Sequence, residues 1–228
     1  MPDRALPKPQ DRRALRAGLA AILALTLWRV LWLPFDARDL FVDDAQYWLW
    51  GQSLDWGYFS KPPLIAWILR ASTEIGTDSA FWIRLPLPLL HAATAVVVMA
   101  LGRRLWDAAT GALAGAIYAG LPIVGIGSLL ASADTPLLLA FATAMLLQLR
   151  LAERPSAATA LLWGAAIGLG MLAKYAMLYY VGSAALAAWA LPWARPRPRD
   201  AALAAAAALA LVAPNLWWNA THGFVTLT

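Results

Sequence analysis

Two adjacent carboxylates, Asp43 and Asp44, stand among aromatic residues in the stretch FVDDAQYWLWGQSLDWGYFSKPPLIAW, with Lys61 near its end. A carboxylate takes protons or holds cations and an ammonium holds phosphate, so these residue types near one membrane surface suit acid-base work on a phosphorylated substrate. Like charges side by side repel, which favours unequal roles, one acid acting on a proton or a cation and the other solvated or paired. Neighbours on a helix point about 100° apart, so one acid can face a cavity while the other caps a helix end or meets a cation. A helix cap remains open for the pair, since Asp at a helix start accepts backbone N–H bonds and suits the macrodipole.

Three further charges belong with them. Lys61 is flanked by aromatics and directly precedes Pro62-Pro63; it can hold a phosphate at headgroup level or simply snorkel. Asp134 in SLLASADTPLLLAF breaks an apolar run, and either joins Asp43 at the same surface or caps the helix before Thr135-Pro136. Lys174 in GMLAKYAMLYY sits at a turn between two apolar runs, with the same two alternatives as Lys61. Arg29 and His91 lie within apolar runs and are read as packing or snorkelling residues.

The elements that must position these groups are membrane helices. The chain of 228 residues is 61% hydrophobic and 14% charged with 13 tryptophans, and its mean hydropathy is +0.61, which excludes an ordinary soluble domain. The segment Ala17 to Phe35 is long enough to cross roughly 30 Å of hydrocarbon at 1.5 Å per residue. Similar runs recur at about 83–101, 110–127, 135–150, 157–173, 176–193 and 201–218, about seven spans in all. The spacing predicts an all-α polytopic bundle, with Pro86, Pro88, Pro122 and Pro136 inside spans. Trp28, Trp32, Trp48, Trp50, Trp56, Trp193, Trp217 and Trp218 are expected at the membrane interfaces.

Alternate loops hold most of the 18 basic residues: Arg4, Lys8, Arg12, Arg13 and Arg16, then Arg103 and Arg104, Arg150 and Arg154, and Arg195, Arg197 and Arg199. The positive-inside rule therefore predicts a cytoplasmic N-terminus and places Asp43, Asp44, Lys61, Asp134 and Lys174 outside. The first apolar run is too long for a signal-peptide core, contains Arg29 and has no small-x-small cleavage site. The pI near 9.9 follows from the inside arginines and anionic lipid, so no nucleic-acid partner is implied. Absence of cysteine excludes disulfides, thiolate metal sites and a cysteine nucleophile.

The first outer loop, about 36–82, is the long one. Helical periodicity over Asp43 to Leu54, with Ala45, Trp48 and Leu49 toward one side, and over Pro62 to Ile75 predicts two helices in the interface plane. Gly57-Tyr58-Phe59-Ser60-Lys61 would turn between them and bring Lys61 back toward Asp43 and Asp44.

The stretch DDAQYWLWGQSLDWGYFSKPPLIAW, a mid-chain Ser-x-Asp-x-Pro, Gly-x-x-Ala-Lys-Tyr and the closing PNLWWNATHGF together resemble bacterial members of glycosyltransferase family 39, a group similar to dolichyl-phosphate-mannose protein mannosyltransferases and the lipid A aminoarabinose transferase. The resemblance covers essentially the whole chain and implies a GT-C fold, with 1–228 as the N-terminal part of a transmembrane glycosyltransferase domain. It further implies a multi-pass protein of the bacterial inner membrane that transfers a sugar, with inversion, from a polyprenyl-phosphate donor to a lipid or protein acceptor. By that resemblance Asp43 is the general base, Asp44 orients or binds a cation, and Tyr47 and Tyr58 line the sugar pocket. Lys61 then holds the donor phosphate, Asp134 the sugar hydroxyls, and Lys174 adds to phosphate binding.

Two departures follow. Ser60 stands where the aminoarabinose branch has an acid that can help hold a metal, so a divalent cation stays open. The family usually continues past this length, so the chain is expected to be an N-terminal portion. The other class of function is a lipid-linked-sugar translocator or non-catalytic binding scaffold, which should carry its charges at mid-bilayer. An intramembrane aspartyl protease needs two acids in facing spans, whereas both candidates here lie in a loop.

Overall fold

The computed structural model describes residues 9–192 and 195–227; Arg4, Lys8 and Trp193 lie outside the described residues. Among the described residues the structure is helical without strands. α1 (Pro9–Trp32) ends in a 3-10 turn, Leu33–Phe35. The first long loop holds α2 (Val42–Gly51), α3 (Leu64–Ile75) and the short α4 (Ala80–Arg84), after which α5 (Pro86–Leu105) begins. α6 (Ala108–Gly120), α7 (Pro122–Gly127), α8 (Asp134–Glu153), α9 (Ala157–Ala173), α10 (Met177–Ala190) and α11 (Pro198–Thr221) complete the bundle.

Four helical stretches, Gln10–Phe35, Ala80–Leu105, Asp134–Glu153 and Pro198–Thr221, are long and apolar enough to cross a membrane. Three shorter apolar helices, α6, α9 and α10, lie between them in chain order, in keeping with a polytopic helical bundle. The run expected as one span over 110–127 divides at Leu121, whose extended backbone (ψ 134) precedes Pro122; proline disfavours helical geometry in the residue before it. Of the prolines expected inside spans, Pro86 and Pro88 lie within the stretch Ala80–Leu105 and Pro136 within Asp134–Glu153, and all four stand in the first turn of a helix. Pro86 and Pro122 occupy the first turns of α5 and α7, Pro88 and Pro136 fall in the first turns of α5 and α8, and Pro214 is the one inside α11. A first-turn proline gives up an N–H that has no intrahelical partner.

Side chains close the other helix starts. Asp107 accepts from the Thr110 N–H at 2.7 Å, opening α6, and Ser156 accepts from Thr159 at 3.1 Å, opening α9. Where α6 ends, Arg29 of α1 donates to the Ala119 carbonyl at 2.5 Å, meeting an end carbonyl that has no partner within its helix.

Small residues let the helices approach. A Cβ on Gly18 would lie 2.9 Å from Ala112, and one on Gly102 would lie 2.9 Å from Gly111. A Cβ on Gly164 would run into the Ala204 carbonyl of α11. This is how helices associate where lipid removes the hydrophobic drive between them. Ile22, Ala95, Met99 and Ala119 join α1, α5 and α6 in one cluster, and Leu147, Leu151, Ala160, Trp163, Tyr180 and Ala204 join α8 to α11 in another. On α1, Leu23, Leu27 and Leu31 repeat every fourth residue and are all exposed, a stripe suited to lipid. Trp28, Trp32 and Trp217 are exposed in the same way. Trp50 instead stacks on Tyr58 (4.9 Å), tying α2 to the turn after it, and Trp218 stacks on His222 (4.1 Å), one turn further along the end of α11.

Candidate functional site

α2 turns a different face inward from the one its apolar pattern suggests. Asp44, Tyr47 and Gly51 are its buried residues, at i, i+3 and i+7, while Leu49 is 62% exposed. The reason is a partner. Asp44, fully buried, meets Arg84, itself 2% exposed, at 3.2 Å. Its Oδ2 also accepts the Phe41 N–H at 3.1 Å, the side-chain half of a capping box closing the start of α2, and its Oδ1 accepts the Ala131 N–H at 2.5 Å. Phe41, not either acid, occupies the N-cap position.

Arg84 gathers the strand of chain that enters α2. Its guanidinium donates to Asp36 (3.2 Å), to the Arg38 carbonyl (3.4 Å) and to the Asp39 carbonyl (2.8 Å). Asp36 takes two 2.7 Å bonds from Arg38 as well. That bidentate bond holds the Asp36 carboxyl down at about 2, against the desolvation that would raise it. A buried ion pair persists when its charges are balanced and hydrogen-bonded; here both oxygens of Asp44 and both terminal nitrogens of Arg84 are bonded, while the Arg84 Nε is buried without a partner among the described residues. Arg84 was missed in sequence; its one signal is a lone cation beside an apolar run, at the end opposite Arg103 and Arg104.

Asp43 differs from its neighbour. It is half-exposed, and among the described residues it has no hydrogen bond or ion pair. Tyr47, one helical turn on, is 3% exposed and its hydroxyl has no hydrogen-bond partner among the described residues. Burial pushes the Tyr47 phenol up to about 12, and the charges of Asp43 and Asp134 act in the same direction. The phenol therefore stays protonated, a neutral donor in the field of two carboxylates. Asp134 opens α8 and pairs with Lys174 at 2.8 Å, a contact between residues forty apart that joins the starts of α8 and α10. Its other oxygen lies 3.3 Å from the Ser132 hydroxyl. Asp43, Tyr47, Asp134 and Lys174 thus share one end of the bundle.

Asp44 is what unites them. Ala131, whose N–H it accepts, lies three residues before Asp134, so the second acid ties the helix carrying Asp43 to the loop carrying Asp134. With Phe41, Ala131 and Arg84 already on its oxygens, the cation at Asp44 is a guanidinium. Among the described residues no group of three His, Asp or Glu side chains could hold a metal ion.

Tyr58 and Lys61 are placed otherwise. The Tyr58 hydroxyl lies 3.0 Å from the Trp50 carbonyl and accepts the Asp55 N–H at 3.2 Å, while the Tyr58 N–H donates to the Lys61 carbonyl at 3.1 Å. Tyr58 thus braces the turn. The Lys61 side chain is half-exposed and, among the described residues, forms no hydrogen bond or ion pair, including with Asp43 or Asp44. α2 and α3 do pack together, a Cβ at Gly51 reaching within 3.0 Å of the Ala66 carbonyl oxygen.

The segment PNLWWNATHGF supplies a second brace. Asn215, fully buried on α11, donates to the Trp56 carbonyl at 2.6 Å and accepts from the Tyr175 hydroxyl at 2.8 Å. Asn219 donates to that same hydroxyl at 3.0 Å, and Thr226 donates to the Tyr58 carbonyl at 2.8 Å. Tyr175 follows Lys174, so α11 steadies both the turn before Lys61 and the turn holding Lys174. From Leu64, just past Lys61, and Pro136, just past Asp134, an apolar groove of about 510 Å³ runs down between α3, α5, α8 and α9 to Leu147 and Leu162.

Residues 60–218 match the family model described as dolichyl-phosphate-mannose-protein mannosyltransferase. The chain is 46% identical over 213 residues to lipid A galacturonosyltransferase RgtD of Rhizobium johnstonii, the match covering 93% of this chain and 45% of the relative. It therefore spans about half the length of that curated relative. No solved structure matches it.

Proposed function

The chain belongs to the dolichyl-phosphate-mannose-protein mannosyltransferase family, and from that membership we propose a membrane glycosyltransferase of the GT-C type that works on the extracytoplasmic side. Its donor is a sugar on a polyprenyl phosphate and its acceptor a hydroxyl or phosphate. The observation that carries this is Asp43, without a partner among the described residues and held beside Tyr47 and Asp134 by the buried Asp44–Arg84 pair. An acid kept free of partners next to two that are occupied is the one available to take a proton.

In the proposed reaction the acceptor oxygen attacks the anomeric carbon with inversion, its proton passes to Asp43, and the bond from that carbon to the phosphate oxygen breaks. Polyprenyl phosphate leaves with the bonding electrons, and Lys61 meets its growing charge. The protonated Tyr47 hydroxyl and the Asp134–Lys174 pair line the sugar's side of the site. The apolar groove descending from Leu64 and Pro136 suits the polyprenyl tail. Asp44 orients and does not react. These charges lie at helix ends, which favours a catalyst over a mid-bilayer translocator.

The relative's description makes galacturonic acid the donor sugar and lipid A the acceptor to test first. Membranes containing the full-length protein, supplied with polyprenyl-phosphate galacturonic acid and lipid A, should yield galacturonosylated lipid A and free polyprenyl phosphate, both measured by mass spectrometry. Lys61→Ala should reduce transfer more than Lys61→Arg, because a cation near the phosphate is the requirement. Donor binding without release of polyprenyl phosphate, across a panel of polyprenyl-phosphate sugars and acceptors, would make the protein a scaffold.

A further inference from the structure

At the end of the bundle away from Asp43, α1, α5 and α8 enclose a groove of about 480 Å³ whose mouth carries Arg103, Arg104 and Arg150 and whose wall includes Leu15, Leu19 and Val96. Val96 and Arg103 are seven residues apart on α5, so two helical turns lead from apolar wall to guanidinium along one face. Arg104 engages Glu153. The side chains of Arg103 and Arg150 belong to exposed residues and, among the described residues, have no hydrogen-bond or ion-pair partner. Charge bias between loops accounts for arginines at this end, but not for three of them, from two helices, gathered at the mouth of one apolar groove.

We propose that this groove binds an anionic phospholipid, its phosphodiester bridging Arg103 and Arg150 and an acyl chain lying along Leu15, Leu19 and Val96. Guanidinium matches phosphate through paired N–H donors, and basic pockets between membrane helices take lipid head groups for that reason. The occupant is a lipid rather than free phosphate because the cationic mouth opens directly onto an apolar wall. This site is separate from the sugar-transfer end and stands whether or not that reaction is correct.

The full-length protein, purified in a neutral detergent, is titrated with phosphatidylglycerol or phosphatidylcholine and bound lipid is counted by native mass spectrometry. The parent should prefer phosphatidylglycerol. The double variant Arg103→Gln/Arg150→Gln should lose roughly 30-fold in that affinity, two basic contacts' worth, and Arg103→Lys/Arg150→Lys should keep most of it. Since both side chains are exposed and without a partner among the described residues, the glutamine variant should elute as the parent does; if it does not, the parent's preference and the lysine variant decide the matter. Equal binding of the two lipids by the parent, an unchanged affinity in the glutamine variant, or complete displacement of the lipid by millimolar inorganic phosphate would overturn the proposal.

Discussion

Replacing the Asp44 carboxylate by an amide removes half of a fully buried ion pair and leaves the Arg84 charge short of a partner, a change that typically costs about 3 kcal/mol or more. The same replacement at Asp43 disturbs no bond, because Asp43 has none among the described residues. Asp44→Asn should therefore lower the thermal midpoint of the protein clearly, and Asp43→Asn should leave it near the parent's. Turnover should separate them the other way. Asp43→Asn keeps size and hydrogen bonding but cannot accept the acceptor's proton, so sugar transfer should fall by about 10²- to 10⁴-fold while donor binding persists. Near-parental turnover in Asp43→Asn, measured beside donor binding, rules out the base.

At the scale of elements, the crossing of α9 and α11 depends on a missing side chain. A Cβ on Gly164 would run into the Ala204 carbonyl, whereas Gly182 in α10 has nothing within 4 Å. Gly164→Ala should destabilise by about 1–3 kcal/mol through overpacking, while Gly182→Ala should be neutral or stabilising because alanine is the better helix former. Thermal unfolding of the two variants checks this, and equal midpoints would contradict the close crossing. The strand of chain leading into α2 should respond to acid. The Asp36 carboxyl, held at about 2 by its bonds from Arg38, contributes stability that is full above its unfolded value of about 4 and is lost as pH falls from about 4 to about 2. Hydrogen exchange in 36–44 should quicken over that window beyond its intrinsic change, and Asp36→Asn should abolish the step.

For the whole molecule the question is which ends of the helices share a side of the membrane. The contacts from Asn215 to Trp56, from Thr226 to Tyr58 and from Lys174 to Asp134 put the first long loop, the end of α11 and the starts of α8 and α10 at one end of the bundle. Arg103, Arg104 and Arg150 cluster at another place, reached along α5, whose twenty residues rise about 30 Å. The chain has no cysteine, so single-cysteine variants can be labelled without background. Ser53→Cys and Thr221→Cys, both at exposed positions, should react with an impermeant thiol reagent from outside the cell, and Trp106→Cys should react only after the membrane is opened. Reaction of positions 53 and 106 from the same side would refute the topology.

Hydropathy and proline placement are local properties, so the sequence alone marked out the apolar helices, the two helices of the long loop and the alternation of arginines. It also located Asp43, Asp44, Lys61, Asp134 and Lys174, whose charges stand out against an apolar background. Which way each one points was settled only in three dimensions. The face of α2 was misjudged from pattern because burying Asp44 requires Arg84, forty residues away, and no periodicity within ten residues can register a partner at that distance. Asn215 reached Trp56 across more than half the chain for the same reason, whereas Tyr58 turned back to the carbonyl of Trp50, eight residues away, because the chain reverses after α2. A helix turns about 100° per residue, so neighbouring acids meet different surroundings, and only the convergence of distant segments decided that Asp44 is held while Asp43 has no partner among the described residues.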